Sequence, residues 1–179
     1  MVDIFQKLRE LGTGDFEHLD GSLIDHLQGT RNLLDEWSAS AVLKDAGLYH
    51  AAYGTAGFDE SLVSTLQRDE ISLIIGREAE EIVYQYCACD RDYFFSRVGT
   101  TDSPEFKNRF TGDRYQLPAN LLHQFCELTA ANETEIAIDN PDFVEAHGKG
   151  LKILFANMAP FLSEDAKATT ALVFGGENA

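Results

Sequence analysis

Positive charge is scarce in this sequence: 14 Lys and Arg stand against 30 Asp and Glu, a net charge of −16 at pH 7. A nucleic-acid backbone or an anionic membrane surface repels such a chain, so the expected partners include no nucleic acid and no membrane. Cysteine is sparse too. Cys87, Cys89 and Cys126 are odd in number, and their C-x-C spacing fits neither a redox pair nor a paired zinc knuckle, so free thiols in a reducing compartment are expected. No apolar run is long: Leu151 to Leu162 carries Lys152 and Asn157 and falls short of the roughly 20 residues that span a bilayer. The opening stretch, Met1 to Leu11, holds Asp3, Lys7, Arg9 and Glu10 at helical spacing instead of the continuous apolar core of a secretory signal, which predicts a cytoplasmic protein. G-x-S-x-G, H-E-x-x-H, G-x-G-x-x-G and EF-hand patterns are all missing, so serine-nucleophile, zinc-protease, dinucleotide and EF-hand calcium chemistries have no motif behind them.

What is present is enough to fold. At 179 residues with 44% hydrophobic and 11% aromatic side chains, the chain has the size and mix of one globular domain, taken as residues 1–179. Apolar residues recur at steps of three and four almost throughout: Ile4, Leu8, Leu11; then Leu23, Leu27, Leu34, Trp37; then Val42, Leu43, Tyr49. Ser22 or Asp20 is placed to cap a helix reaching about Trp37, and Ser40 to cap another that ends about Tyr53 before Gly54. Further helices are expected over 61–75, 77–89, 118–136, 141–158 and from Ser163 to Gly175. Periodicity fails near residues 90–117, which reads as a long loop or a small hairpin around Thr111-Gly112-Asp113. The expectation is an all-α single domain, a bundle of seven or eight helices.

Histidine carries the chemistry worth following. His26 and His50 fall on consecutive helices joined by a short turn near Ser38-Ala39-Ser40, and an antiparallel helix pair brings such positions face to face. Two facing imidazoles suit a divalent metal, although the same spacing fits two packed core histidines. Ala46, Gly47 and Gly54 leave room beside His50 for a ligand or a close neighbour. His18, between Glu17 and Asp20, would supply a third nitrogen if its loop folds back. Tyr53, Thr55 and Arg77 are candidate ligand-binding residues; their ordinary roles would be a helix end, a turn and an ion pair of Arg77 with Glu80 or Glu81. His123 and Glu127, at i and i+4, form a candidate acid–base pair, and Lys149 between Gly148 and Gly150 is a weak phosphate signal.

The run Ser22-Leu23-Ile24-Asp25-His26-Leu27-Gln28-Gly29-Thr30-Arg31-Asn32-Leu33-Leu34, followed by Ala46-Gly47-Leu48-Tyr49-His50-Ala51-Ala52-Tyr53-Gly54-Thr55, resembles the opening of the HD superfamily, distantly its guanosine-tetraphosphate hydrolase branch. The H-L-x-G-T, A-G-L-Y-H and Y-G-T pieces are similar to a bacterial family of HD-like proteins. The resemblance spans about residues 18 to 135. It implies an HD-like helical fold whose two histidines, a doublet aspartate and a late aspartate hold metal for phosphoester hydrolysis. Here Ala51 replaces the doublet aspartate, Tyr53-Gly54 stands in the acidic turn, and Asn132 occupies the late position. The expectation is therefore a reduced or rebuilt metal or ligand site of His18, His26, His50 and Asn132, binding a single Fe, Zn or Ni ion and acting on a small-molecule ligand. Its function would be that of a divergent metal-dependent phosphohydrolase; a non-catalytic binding or interaction domain, or a mononuclear non-haem iron oxidase using His18, His26 and His50, stands as the alternative.

Overall fold

The computed structural model describes residues 3–11, 17–18, 21–57 and 60–176, with side chains included except at 17, 18, 21 and 22. The described residues form nine α-helices with two minimal antiparallel hairpins, so the protein is all-α.

Asp3 opens α1 (Ile4–Glu10) by accepting the Phe5 and Gln6 backbone N–H groups. After β1 (Glu17–His18) and β2 (Gly21–Ser22) come α2 (Leu23–Glu36) and α3 (Ala41–Tyr49), joined by a turn in which Ser38 takes a left-handed φ of 58°. Ser40 caps α3 by accepting from Leu43 N–H. The helix stops at Tyr49 instead of near Tyr53, because two successive i to i+3 turns, Ala52 N–H to Tyr49 O and Gly54 N–H to Ala51 O, replace the helical ladder. A 3₁₀ turn (Thr65–Gln67) leads into α4 (Arg68–Ile75), and Gly76, at φ 86°, breaks the chain before α5 (Arg77–Ala88).

The stretch after residue 90 is more ordered than its lost periodicity suggests. Asp90 accepts from Tyr93 N–H and starts a short helix, α6 (Arg91–Phe95), which raises the helix count above the seven or eight expected. The hairpin is present as β3 (Glu105–Lys107) against β4 (Arg114–Gln116), with Phe106 opposite Tyr115. Such a ribbon is marginal alone. Here Phe94 and Phe106 are fully buried against Phe125, and Arg109 donates to Cys87 O at 2.7 Å and Gly54 O at 3.1 Å.

At the centre runs α7 (Ala119–Ala137), which packs on α2, α3, α5, α8 (Pro141–Met158) and α9 (Glu164–Phe174). Residues 125–134 of α7 are all buried, and five of them are polar or charged: Glu127, Thr129, Asn132, Glu133 and Thr134. Buried polar groups need partners, so this helix decides where polar chemistry sits inside the fold. No helix among the described residues is long and apolar enough to cross a membrane. Cys87, Cys89 and Cys126 are buried free thiols.

Candidate functional site

His26 lies one turn into α2 and His50 caps the C-terminal end of α3; they are 6% and 2% exposed. The helices come close because Gly47 faces α2: a Cβ there would stand 2.6 Å from Leu34 Cδ1. The room beside His50 is thus filled by a neighbouring helix, and the two rings meet edge to face with centroids 5.1 Å apart. Their Nε2 atoms are 3.3 Å apart, and Asn132 Oδ1 of α7 stands 3.0 Å from His26 Nε2.

The outward ring atoms fix the chemistry of the inward ones. His26 Nδ1 contacts a carboxylate oxygen of Glu135, and His50 Nδ1 meets Gly47 O at 2.7 Å. Carboxylate and carbonyl oxygens only accept, so each Nδ1 carries a proton, and in the neutral rings each Nε2 presents a lone pair. Asn132 Nδ2 donates to Glu133 Oε1 at 3.0 Å, which turns Oδ1 toward His26. With both rings neutral, His26 Nε2 thus has two acceptors beside it, His50 Nε2 and Asn132 Oδ1. Gly29 allows this arrangement, since a Cβ there would collide with the Glu135 carboxylate lying across α2.

Beneath the pair, the His50 ring packs edge to face on Tyr86 at 5.5 Å, and Cys87 Sγ donates to His50 O at 3.1 Å. Burial pushes the Tyr86 hydroxyl above its ordinary range and the Cys87 thiol up to about 12, so both stay protonated donors. Arg91 Nη2 donates to Tyr86 OH and Nη1 donates to Glu133 Oε1, both at 3.2 Å. A chain of polar contacts thus runs from Arg91 through Glu133 and Asn132 to His26.

This cluster opens onto a cavity of about 610 Å³, within the range usual for small-molecule sites. His26, His50, Thr55, Asn132, Glu133 and Arg91 are among its polar lining residues, and α8 contributes Phe143, Leu151, Ile153 and Leu154 together with His147 and Asn157. Among the described residues no three His, Cys, Asp or Glu side chains form a metal-holding group, so the third acceptor of the cluster is the Asn132 amide.

Four sequence-selected residues, His26, His50, Asn132 and Thr55, share this cavity. His18 belongs to β1, and its side chain lies outside the described residues. Tyr53 turns elsewhere: its hydroxyl donates to Glu80 Oε1 at 2.8 Å, and burial, with Glu80 second, raises its pKa. Arg77 is exposed on a groove beside α4, and the partner of Glu80 and Glu81 is Arg68, not Arg77. The first turn of α4 points back at that of α5, whereas Arg77, as the first residue of α5, points out. His123 packs on Phe161 while Glu127 accepts from Ser163 N–H and Oγ–H, so the i, i+4 pair is divided between two structural jobs. Lys149 is exposed in the middle of α8. Sequence reading missed Glu133, Glu135 and Arg91. The buried polar run of α7 was the available signal for the first two.

Residues 7–91, just under half of the chain, match a family model described as a domain of unknown function (DUF6817). The match takes in both histidines and Arg91, and it ends before Asn132, Glu133, Glu135 and α8. No curated protein and no solved structure matches the chain.

Proposed function

We propose that the protein holds one divalent transition-metal ion, zinc, iron or nickel, between His26, His50 and Asn132, in an HD-like domain whose metal site is rebuilt from neutral donors, and acts through it on a small, mainly apolar molecule. One observation carries this reading: His26 Nε2 has His50 Nε2 at 3.3 Å and Asn132 Oδ1 at 3.0 Å, while both Nδ1 atoms face oxygen acceptors. Two nitrogens each about 2.0–2.1 Å from a tetrahedral ion stand about 3.4 Å apart, which matches the 3.3 Å between the rings. An outward Nδ1–H held by a carboxylate or carbonyl is the arrangement that orients metal-binding histidines.

An ion bound by neutral ligands keeps its full charge for water or substrate and supplies strong Lewis acidity. Two carboxylates fewer than the HD pattern disfavour manganese and magnesium, which prefer hard anionic oxygen. The cavity also argues against a polyphosphate substrate. Among the described lining residues Arg91 is the one Lys or Arg, and Glu133 already pairs with it.

Elemental analysis of protein purified without a histidine tag should find close to one equivalent of metal, falling below about a tenth in His26→Ala and His50→Ala. Hydrolysis of guanosine tetraphosphate with manganese should be undetectable. Protein that stays metal-free after incubation with zinc would leave a non-catalytic binding domain ahead, and manganese-dependent turnover lost in either variant would restore phosphohydrolase chemistry.

A further inference from the structure

We infer that the cavity binds an apolar monocarboxylate, its carboxylate on Arg91 and its hydrocarbon body along α8. The charge balance behind this rests on the metal reading above; the cavity itself does not.

Arg91 has five N–H donors, and two of them serve Glu133 and Tyr86. Arg91 lines the cavity beside Gly57, whose missing side chain leaves space next to the guanidinium: a Cβ at Gly57 would stand 3.3 Å from Nη1. A planar fork of donors suits a planar carboxylate better than a spherical ion. The wall along α8 is mainly Phe143, Leu151, Ile153 and Leu154, with His147 and Asn157 as its polar side chains, so the body that covers it is largely hydrocarbon.

Charge then limits the head group. The proposed divalent ion and Arg91 contribute three positive charges, Glu133 and Glu135 two negative ones, and one positive charge remains. A monoanion neutralises it. A phosphate dianion would leave an excess negative charge buried, and an amine would add to the positive one.

Isothermal titration of the full-length, zinc-loaded protein with octanoate, 1-octanol and inorganic phosphate tests this. Octanoate should bind at least tenfold more tightly than 1-octanol. Arg91→Met should remove that advantage while leaving 1-octanol binding unchanged. Because Arg91→Met strands Glu133, a second variant is needed that leaves the fold alone. A Cβ at Gly150, which lines the cavity, meets nothing within 4 Å, so Gly150→Phe adds bulk beside the cavity without a clash at its Cβ and should weaken binding of both molecules at least tenfold. Octanoate binding no better than 1-octanol, binding indifferent to Gly150→Phe, or displacement of octanoate by phosphate would overturn the inference. Zinc content measured separately keeps the two ideas apart. A protein that takes up zinc but ignores octanoate sinks this inference alone, and Arg91-dependent octanoate binding without zinc uptake sinks the metal reading alone.

Discussion

Helix α5 serves two buried polar clusters, one near each end, and they are built on opposite principles. At its first turn Glu80, 4% exposed, accepts from Tyr53 OH at 2.8 Å and from Arg68 Nε and Nη2 at 2.7 and 2.8 Å; the same guanidinium reaches Glu81 and lies 3.7 Å over the Tyr84 ring. Donors and acceptors match: one guanidinium serves two carboxylates, and a surface groove of about 830 Å³ runs past them. Near its last turn Tyr86 and Cys87 support His50, whose Nε2 faces another acceptor beside a cavity. A set of matched donors and acceptors is structure, whereas acceptors gathered beside a cavity are suited to a cation and a ligand. The family match contains both clusters up to Arg91, so the distinction comes from geometry alone.

Breaking the matched cluster should cost most. Arg68→Met leaves Glu80 with only a tyrosine partner, and because the guanidinium is partly solvated, urea unfolding should show a loss of about 2 kcal/mol. An unchanged midpoint would mean that Glu80 is hydrated or protonated and that the cluster is not structural.

Cys87 joins the two regions, since its thiol donates to His50 O and also contacts the Tyr53 backbone. Burial pushes its pKa up to about 12 from an ordinary value near 9. The folded protein thus holds this proton more tightly than the unfolded chain. Its contribution is fully present below pH 9 and is lost as pH rises toward 12. Raising the pH from 9 to 10 should cost about 1 kcal/mol for this thiol alone. Urea midpoints at the two pH values measure it, and at pH 8 the native protein should resist thiol reagents that label it rapidly once unfolded.

The histidine cluster responds differently. Glu133→Gln lets residue 133 donate to Asn132, so the Asn132 amide can reverse and present N–H groups to His26. Zinc affinity, read by competition with a chromogenic chelator, should fall about tenfold or more. Unfolding of the metal-free protein should change by less than about 1 kcal/mol, and a large stability loss with unaltered zinc affinity would place Glu133 with the structural cluster.

The smallest expected effect is at Gly47. Alanine there gains helix propensity but drives a Cβ to 2.6 Å from Leu34 Cδ1, for a net loss of about 1 kcal/mol, or about 3 °C in Tm. Zinc binding should weaken with it, because moving α3 from α2 separates the rings.

The helices were legible because their stripes keep the 3.6-residue period and their caps are local: Ser40, Asn140 and Ser163 each bind a backbone N–H three residues on. The meeting of His26 and His50 was legible for the same reason, as one short turn brings the two helices antiparallel. Long-range partners were not. Glu135 reaches His26 across 109 residues and Ser163 takes Glu127 from His123 across 36, and no local spacing encodes either. Arg68 and Arg77 are equally basic in sequence, and only the packing of α4 on α5 selects Arg68. Short α6 escaped notice because its signal is one Asp90 cap on five residues.

The same division of near and far partners sets an order in time. His26 and His50 are 24 residues apart within a local helical hairpin, while Asn132 joins His26 from 106 residues away. Short loops close first, so the paired rings form early and the amide oxygen arrives last. During synthesis at about 5–20 residues per second, the hairpin waits several seconds for α7 to emerge. Until then neither the Glu135 carboxylate that sets the His26 tautomer nor the Asn132 oxygen is in place. The three-acceptor nest is therefore a late product of folding, and only a chain whose central helix has docked presents it.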